Sequence, residues 1–277
     1  MSVLEDPRLR PYRDLQGRIA KPDPDRFLDR FIVEGALAVE RLLATRGPAA
    51  QALGVAALEV ESVVCTPSQR ARLALPAALP VIELSKPQLS ELAGFAFHRG
   101  VLACARRPAA QRELDPETLA RLRGRERVTI VVAEGLADPR NLGALVRNVA
   151  AFSADLLIAD ARGADLYSRL AIRASVGNVF RVPCLVSDAL PSTIVALARE
   201  LCAKIIAATP EPTAALVHQF EPPAKQILLV GNEGAGLSPE LLACADHRVR
   251  IPVADGSDSL NVAAATAVLL FALSARS

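Results

Sequence analysis

The sequence predicts an α/β protein in two parts: a parallel sheet covered by helices on both faces after residue 128, and a smaller α/β unit ahead of it. Three observations lead there. Long apolar runs alternate with helical patterns from residue 128 onward, shorter runs do so before about residue 105, and a Pro- and Arg-rich stretch separates the two. With 277 residues, 51% of them hydrophobic and 22% charged, the chain has apolar material for a substantial core and length enough for two domains. Aromatic residues are only 4% and Trp is absent, so aliphatic packing must dominate.

In the first part, EGALAVERLLA (34–44) reads as a helix, SVVCT (62–66) and VIEL (81–84) as short strands, LSELAG (89–94) as a helix and GVLACA (100–105) as a third strand. The separating stretch, RRPAAQRELDPETLARLRGRERV, holds one short helix starting at Asp115. The boundaries expected are 1–112 for the first domain, 113–127 for the linker and 128–277 for the second domain. In that second domain VTIVVAE (128–134), DLLIAD (155–160), KIIAAT (204–209), QILLVG (226–231) and VRIP (249–252) are the strands. Continuous apolar strands separated by helices belong to a parallel sheet buried on both faces. The run VAAATAVLLFAL (262–273), too short for the ~20 residues of a membrane span, reads as a buried helix.

Several function classes are excluded early. Cys65, Cys104, Cys184, Cys202 and Cys244 are widely spaced and form no C-x-x-C pair, while His98, His218 and His247 are equally scattered. A disulfide framework and a metal site are therefore not expected, and a reducing cytoplasm fits. The N-terminal MSVLEDPRLRPYRD is charged and is not a signal peptide. Net charge is only +2, but between Arg99 and Arg127 eight arginines stand against four acids. That segment is either a solvated linker face or a surface for phosphates.

Ligands in parallel α/β sheets sit beyond the carboxyl ends of the strands, and three such ends carry unusual residues. In AEGLADPRNLGALVRNVAAF (133–152), Leu142, Leu145, Val146 and Val149 form one apolar helix face. Arg147 lies off that stripe, one turn beyond Gly143, where the missing side chain leaves room for a ligand; the alternative is a solvated arginine. Asn141 sits near the helix start, where capping is its usual role. In LVGNEGAGLSPELL (229–242), Gly231 and Gly236 have the spacing of a phosphate loop, but Leu237 replaces the lysine that would reach a triphosphate. Ser238, Pro239 and Glu240 read as a helix start, whereas Glu233, an acid between glycines, has no packing duty. In VRIPVADGSDSLNVAAATAVLLF (249–271), Ser259 is a candidate cap for the final helix, and Asn261 stands just inside an otherwise apolar helix, where something polar should meet it.

Taken together, DPRNLGALVRNVAAF, LLVGNEGAGLSPELL and IPVADGSDSLNVAAATAVLLF resemble, in order and spacing, the three motifs of the SpoU/TrmH-type RNA ribose 2′-O-methyltransferases of the SPOUT class. The N-terminal FIVEGALAVERLLA and FAFHRGVLACA segments are similar to the substrate-binding domain of many family members, itself similar to small α/β ribosomal RNA-binding proteins. The resemblance implies an S-adenosylmethionine domain tied into a deep trefoil knot, a homodimer with the active site near the subunit interface, and an RNA substrate, tRNA or rRNA. By matching position it assigns Asn141 and Arg147 to the first motif, Glu233 to the second and Ser259 and Asn261 to the third as catalytic residues. Gly231, Ile251 and Leu260 would line the methyl-donor pocket, so the glycine loop would cradle S-adenosylmethionine. The chain departs from the commoner pattern at Asn148 (Thr), Ser153 (Gly) and Ala263 (Ser).

Under that resemblance the aligned ribose hydroxyl attacks the donor's methyl, and alignment of this kind supplies ~7–11 kcal/mol. A free guanidinium is effectively never deprotonated, so Arg147 is expected to hold a phosphate and steady charge on the 2′-oxygen rather than act as the base. RNA binding is expected to lean on the N-terminal domain and the 99–127 arginines. The alternatives are a non-enzymatic RNA-binding protein on the same fold and a SPOUT enzyme that methylates a base nitrogen.

Overall fold

A computed structural model describes residues 3–15, 29–232, 234–254 and 260–274 of the chain. Its strands are β1 (Arg30–Glu34), β2 (Val60–Cys65), β3 (Val81–Glu83), β4 (Val101–Arg106), β5 (Val128–Ala133), β6 (Leu156–Asp160), β7 (Cys184–Ser187), β8 (Lys204–Ala208), β9 (Ala215–Leu216), β10 (Lys225–Val230) and β11 (His247–Arg250). The α-helices are α1 (Ala36–Ala44), α2 (Pro48–Ala52), α3 (Pro67–Arg72), α4 (Lys86–Ala93), α5 (Pro116–Gly124), α6 (Pro139–Ala151), α7 (Arg169–Ala174), α8 (Leu190–Leu201), α9 (Pro239–Cys244) and α10 (Val262–Ser274).

The first four strands form a mixed sheet in the order β1-β4-β2-β3, with only β2 and β3 parallel. The other seven form an all-parallel sheet in the order β7-β6-β5-β10-β8-β11-β9. Successive side chains of a strand face opposite ways, and the central strands show why they are apolar throughout. Val131 and Leu228 enter one core with α6 and α10, while Ile130, Val132, Ile227 and Leu229 enter a second with α5, α8 and α9.

Three strands escape the sequence pattern. β1 abuts α1 with only Gly35 between them, and that glycine breaks the chain direction with φ +95°. Glu34, read as helical, therefore ends a strand. β7 and β9 are too short, at four and two residues, to show a periodicity. Helix α10 also differs from expectation. Val262, Ala263, Thr266, Leu269, Leu270 and Leu273 are buried, but Val268 is 41% and Phe271 63% exposed, so only one face of the helix is covered. The knot expected from the resemblance depends on the path through residues 255–259, which lie outside the described residues.

The two sheets share one apolar core, which runs from Phe31, Val33 and Val39 into Val131, Leu145 and Phe180. The Phe31 ring lies 5.1 Å from that of Tyr167 and 6.0 Å from that of Phe180. Beside these rings the buried Glu34 carboxylate stands 3.5 Å from Arg169 and 3.6 Å from Arg173.

Candidate active site

Strands β5 and β10 are neighbours in register, Ala133 opposite Val230, so the loops that follow them emerge side by side. Asn232 organises the second loop. Its backbone exchanges two hydrogen bonds of 3.0 Å with Gly236, and its Oδ1 accepts from Gly234 N at 2.8 Å and Ala235 N at 3.2 Å. Its Nδ2 donates to the Gly135 carbonyl at 2.8 Å, tying this loop to the one after β5. The buried Glu134 completes the tie by accepting from Ser238 N at 2.7 Å. Neither Asn232 nor Glu134 stands out in the sequence reading, although both are polar residues at strand ends. Glu233 itself lies outside the described residues.

The glycines of this loop are of two kinds. A Cβ on Gly231 would lie 2.2 Å from the Gly236 carbonyl carbon, so the tight return of the loop demands glycine there. Gly236 has φ +70° and nothing within 4 Å of where its Cβ would be, which leaves space on that side of the turn while its N–H and C=O stay engaged with Asn232. Ser238 caps α9 by accepting from Leu241 N, with Pro239 at the first helical position.

Helices α6 and α10 bring two of the motifs together. Asn261 donates from Nδ2 to Asn141 Oδ1 at 2.9 Å. Asn261 Oδ1 also accepts from Ala263 N at 2.9 Å, so Asn261 caps α10 rather than standing inside it. Asn141, by contrast, is no cap, because Asp138 holds that position of α6 and accepts from Arg140 N. Ser259, the residue proposed for capping α10, lies outside the described residues. Ile251 is half-buried just beyond β11, and Leu260 is 43% exposed just before Asn261.

Arg147 projects from α6 into solvent. The room expected beside Gly143 is not there: a Cβ on Gly143 would lie 2.4 Å from the Ala171 carbonyl oxygen and 2.7 Å from Ala174 Cβ. That glycine serves the close packing of α7 on α6. Two of the three departures from the motif pattern meet each other, since Asn148 Nδ2 donates to the Ala263 carbonyl at 2.6 Å. The third, Ser153, adopts φ +53°, a conformation easier for glycine.

The arginine-rich segment is largely neutralised within the chain. Arg106 faces Glu61 at 3.4 Å, Arg107 faces Asp165 at 2.8 Å and Arg125 faces Asp155 at 2.8 Å, while Arg112 pairs with Asp188 and Arg123 with Glu200. Arg121 donates to the Leu53 carbonyl at 2.9 Å. At the rim of β6, burial works against the charge on Asp160, but side-chain and backbone hydrogen bonds from Arg162 outweigh it and hold the carboxyl below the usual carboxylate range. All five cysteines are free thiols. Among the described residues, no helix is long and apolar enough to cross a membrane and no cluster of His, Cys, Asp or Glu could hold a metal ion.

The chain is similar to several known proteins. Residues 128–271 match the family described as "SpoU rRNA Methylase family". An uncharacterised tRNA/rRNA methyltransferase of Mycobacterium tuberculosis is 34% identical over 278 residues, covering 96% of this chain and 88% of its own length. A 23S rRNA (guanosine-2′-O-)-methyltransferase of Acinetobacter baylyi is 27% identical over 200 residues, 72% of this chain and 79% of the relative. The SpoU methyltransferase AviRb of Streptomyces viridochromogenes, solved in complex with AdoMet, superposes with a TM-score of 0.76 over 97% of this chain and 98% of its own, at 22% identity. This last likeness is one of fold. With three sequence motifs in order, a parallel sheet that gathers their loops at one rim and a family match over more than half its length, this chain belongs to the SpoU rRNA methylase family.

Proposed function

We propose that this protein is an S-adenosylmethionine-dependent RNA methyltransferase that modifies a ribose 2′-hydroxyl of tRNA or rRNA. The observation that carries this reading is the Asn141–Asn261 hydrogen bond, which joins the first and third motifs, in a family whose named relatives include a 23S rRNA 2′-O-methyltransferase. The residues present fit the donor. The turn at Gly236 has open space where a side chain would stand, and Val253 and Leu260, 49% and 43% exposed, are apolar side chains left free for a ligand. Gly231, Ile251 and Leu260 would hold S-adenosylmethionine, mainly through backbone groups.

When bound, S-adenosylmethionine supplies a methyl group made electrophilic by its sulfonium. The chain's own task is alignment of the acceptor. Arg147, permanently charged, grips a phosphate and steadies developing negative charge on the 2′-oxygen, whose proton leaves to phosphate or water. Asn141 and Asn261 hold the ribose and Arg147 in register, with Glu233 and Ser259 joining them by motif position. Residues 1–112 act as the RNA-binding domain, 113–127 as the linker and 128–277 as the knotted catalytic domain. The protein works as a homodimer in the cytoplasm. The uncovered Val268 and Phe271 of α10 support the dimer, because an exposed apolar stripe favours burial against a partner.

The test is incubation of the purified chain with isotopically labelled S-adenosylmethionine and unmodified transcripts of tRNA and 23S rRNA, followed by nuclease digestion and mass spectrometry. A 2′-O-methylated nucleoside is expected. A methylated base would transfer the chain to the base-nitrogen class, and no transfer to any transcript would leave an RNA-binding protein without this activity.

A further inference from the structure

Arg41, Arg147 and Arg181 come from three separate elements that pack together where the two sheets join. Arg41 lies in the last turn of α1, and its Nη1 donates to the Val176 carbonyl at 2.7 Å. The turn it grips is left-handed at both Val176 (φ +54°) and Gly177 (φ +75°), an unusual conformation for a β-branched residue. It is pressed so closely onto α1 that a Cβ on Gly177 would lie 2.8 Å from Ala38 Cα. From there the chain enters a short 3-10 turn, Asn178–Phe180, which packs against both α1 and α6 and ends at the exposed Arg181. Helix α6 carries Arg147, also exposed.

Among the described residues, no carboxylate pairs with any of these three guanidinium groups. Burial, then the positive charges of Arg181 and Arg147, pull the Arg41 guanidinium below its ordinary range. Like charges held together repel, and a strained turn that maintains the arrangement points to use. An anion would relieve the repulsion, and guanidinium groups match the geometry of phosphate oxygens.

We propose that Arg41, Arg147 and Arg181 form one binding site for a backbone phosphate of the RNA, spanning the N-terminal unit and the methyl-transfer site. The inference rests on the RNA-methylation reading above and extends it by naming Arg41 and Arg181 as substrate-binding residues. One phosphate beside the target ribose would then be held from both parts of the chain, so that docking on the N-terminal unit fixes the nucleotide at the site.

The experiment measures affinity of the full chain for unmodified 23S rRNA and tRNA transcripts across a salt series, for wild type, Arg181→Gln, Arg41→Gln and Arg41→Lys. Binding of S-adenosylmethionine, methyl transfer and thermal melting are followed in parallel. Arg181→Gln should weaken RNA binding about tenfold and reduce the slope of log affinity against log salt by a part of about 0.7–0.9, the value of the one phosphate contact that the three arginines share. Its donor affinity and melting should be unchanged. Arg41→Gln should lower the slope similarly, and Arg41→Lys should restore it, since a lysine keeps the charge. Wild-type affinity and slope in both glutamine variants would overturn the site, as would a loss of donor affinity in Arg181→Gln, which would make it part of the donor pocket. Absence of methyl transfer by wild type overturns the parent reading alone if the salt slopes still change, and absence of RNA binding by wild type overturns both.

Discussion

Arg106, Arg107, Arg112, Arg123 and Arg125 each face a carboxylate, whereas among the described residues Arg41, Arg147 and Arg181 face none. The first group is dense in the sequence and stitches the linker to the two sheets. The second is dispersed over 140 positions and gathered only by the packing of α1, α6 and the turn after α7. Charge density along a chain therefore measures what a segment can pair with, and the charge left for a ligand emerges only after folding. Exposed pairs contribute little to stability, yet they reduce the field that an approaching RNA meets.

The hardest challenge to this contrast is Arg147→Ala. We expect it to fold, to bind S-adenosylmethionine normally by calorimetry and to lose methyl transfer by about 10²–10³-fold, the size of effect seen when one transition-state donor is removed. Near-normal turnover would remove Arg147 from the site. The opposite arm removes two pairs whole, Arg107→Gln with Asp165→Asn and Arg112→Gln with Asp188→Asn, for which RNA affinity by filter binding should stay within about threefold of wild type, because paired surface charges project little net field. A larger loss there than in Arg181→Gln would reverse the comparison.

Asn261→Ala sharpens it from the side of the polar partners. Loss of the α10 cap should lower stability by about 1 kcal/mol, read as a lower melting temperature, and loss of the Asn141 contact should slow transfer without weakening RNA binding. The smallest effect concerns Arg125→Gln. Burial raises the Asp155 carboxyl above its usual value, against the opposing pull of the Thr129 backbone hydrogen bond and the charges of Arg125 and Arg121. The folded chain thus holds that proton more tightly than the unfolded one. Its contribution to stability is full below the ordinary carboxylate value and is lost as pH rises through the raised folded value. Removing Arg125, whose side chain is 50% exposed, should cost under about 1 kcal/mol at neutral pH after solvent screening. In denaturant melts that cost should vanish once acid protonates Asp155.

Much of the frame is legible in the sequence because its physics is local. The strands at 128–133, 156–160, 204–208 and 225–230 are apolar on both faces, and Leu142, Leu145, Val146 and Val149 are all buried as their spacing requires. Ser238 and Asp115 cap the helices that follow them. What escaped depends on tertiary approach. Gly143 looks like an opening until α7 is seen to fill it. Asn261 looks like a polar intruder in a helix until its side chain is seen to cap that helix and reach Asn141, 120 positions away. The roles of Asn232 and Glu134 required knowledge that the loops after β5 and β10 touch, which a parallel sheet order determines and a linear pattern does not.

The apolar core that passes without a break from Phe31 and Val39 to Leu145 and Phe180 bears on how the molecule loses its structure. Heating should melt both sheets in a single cooperative transition, since neither can release its partner without wetting the shared interior. A fragment lacking the first sheet would present Tyr167 and Phe180 to water and tend to self-associate, so dissecting this protein calls for point substitutions rather than truncation.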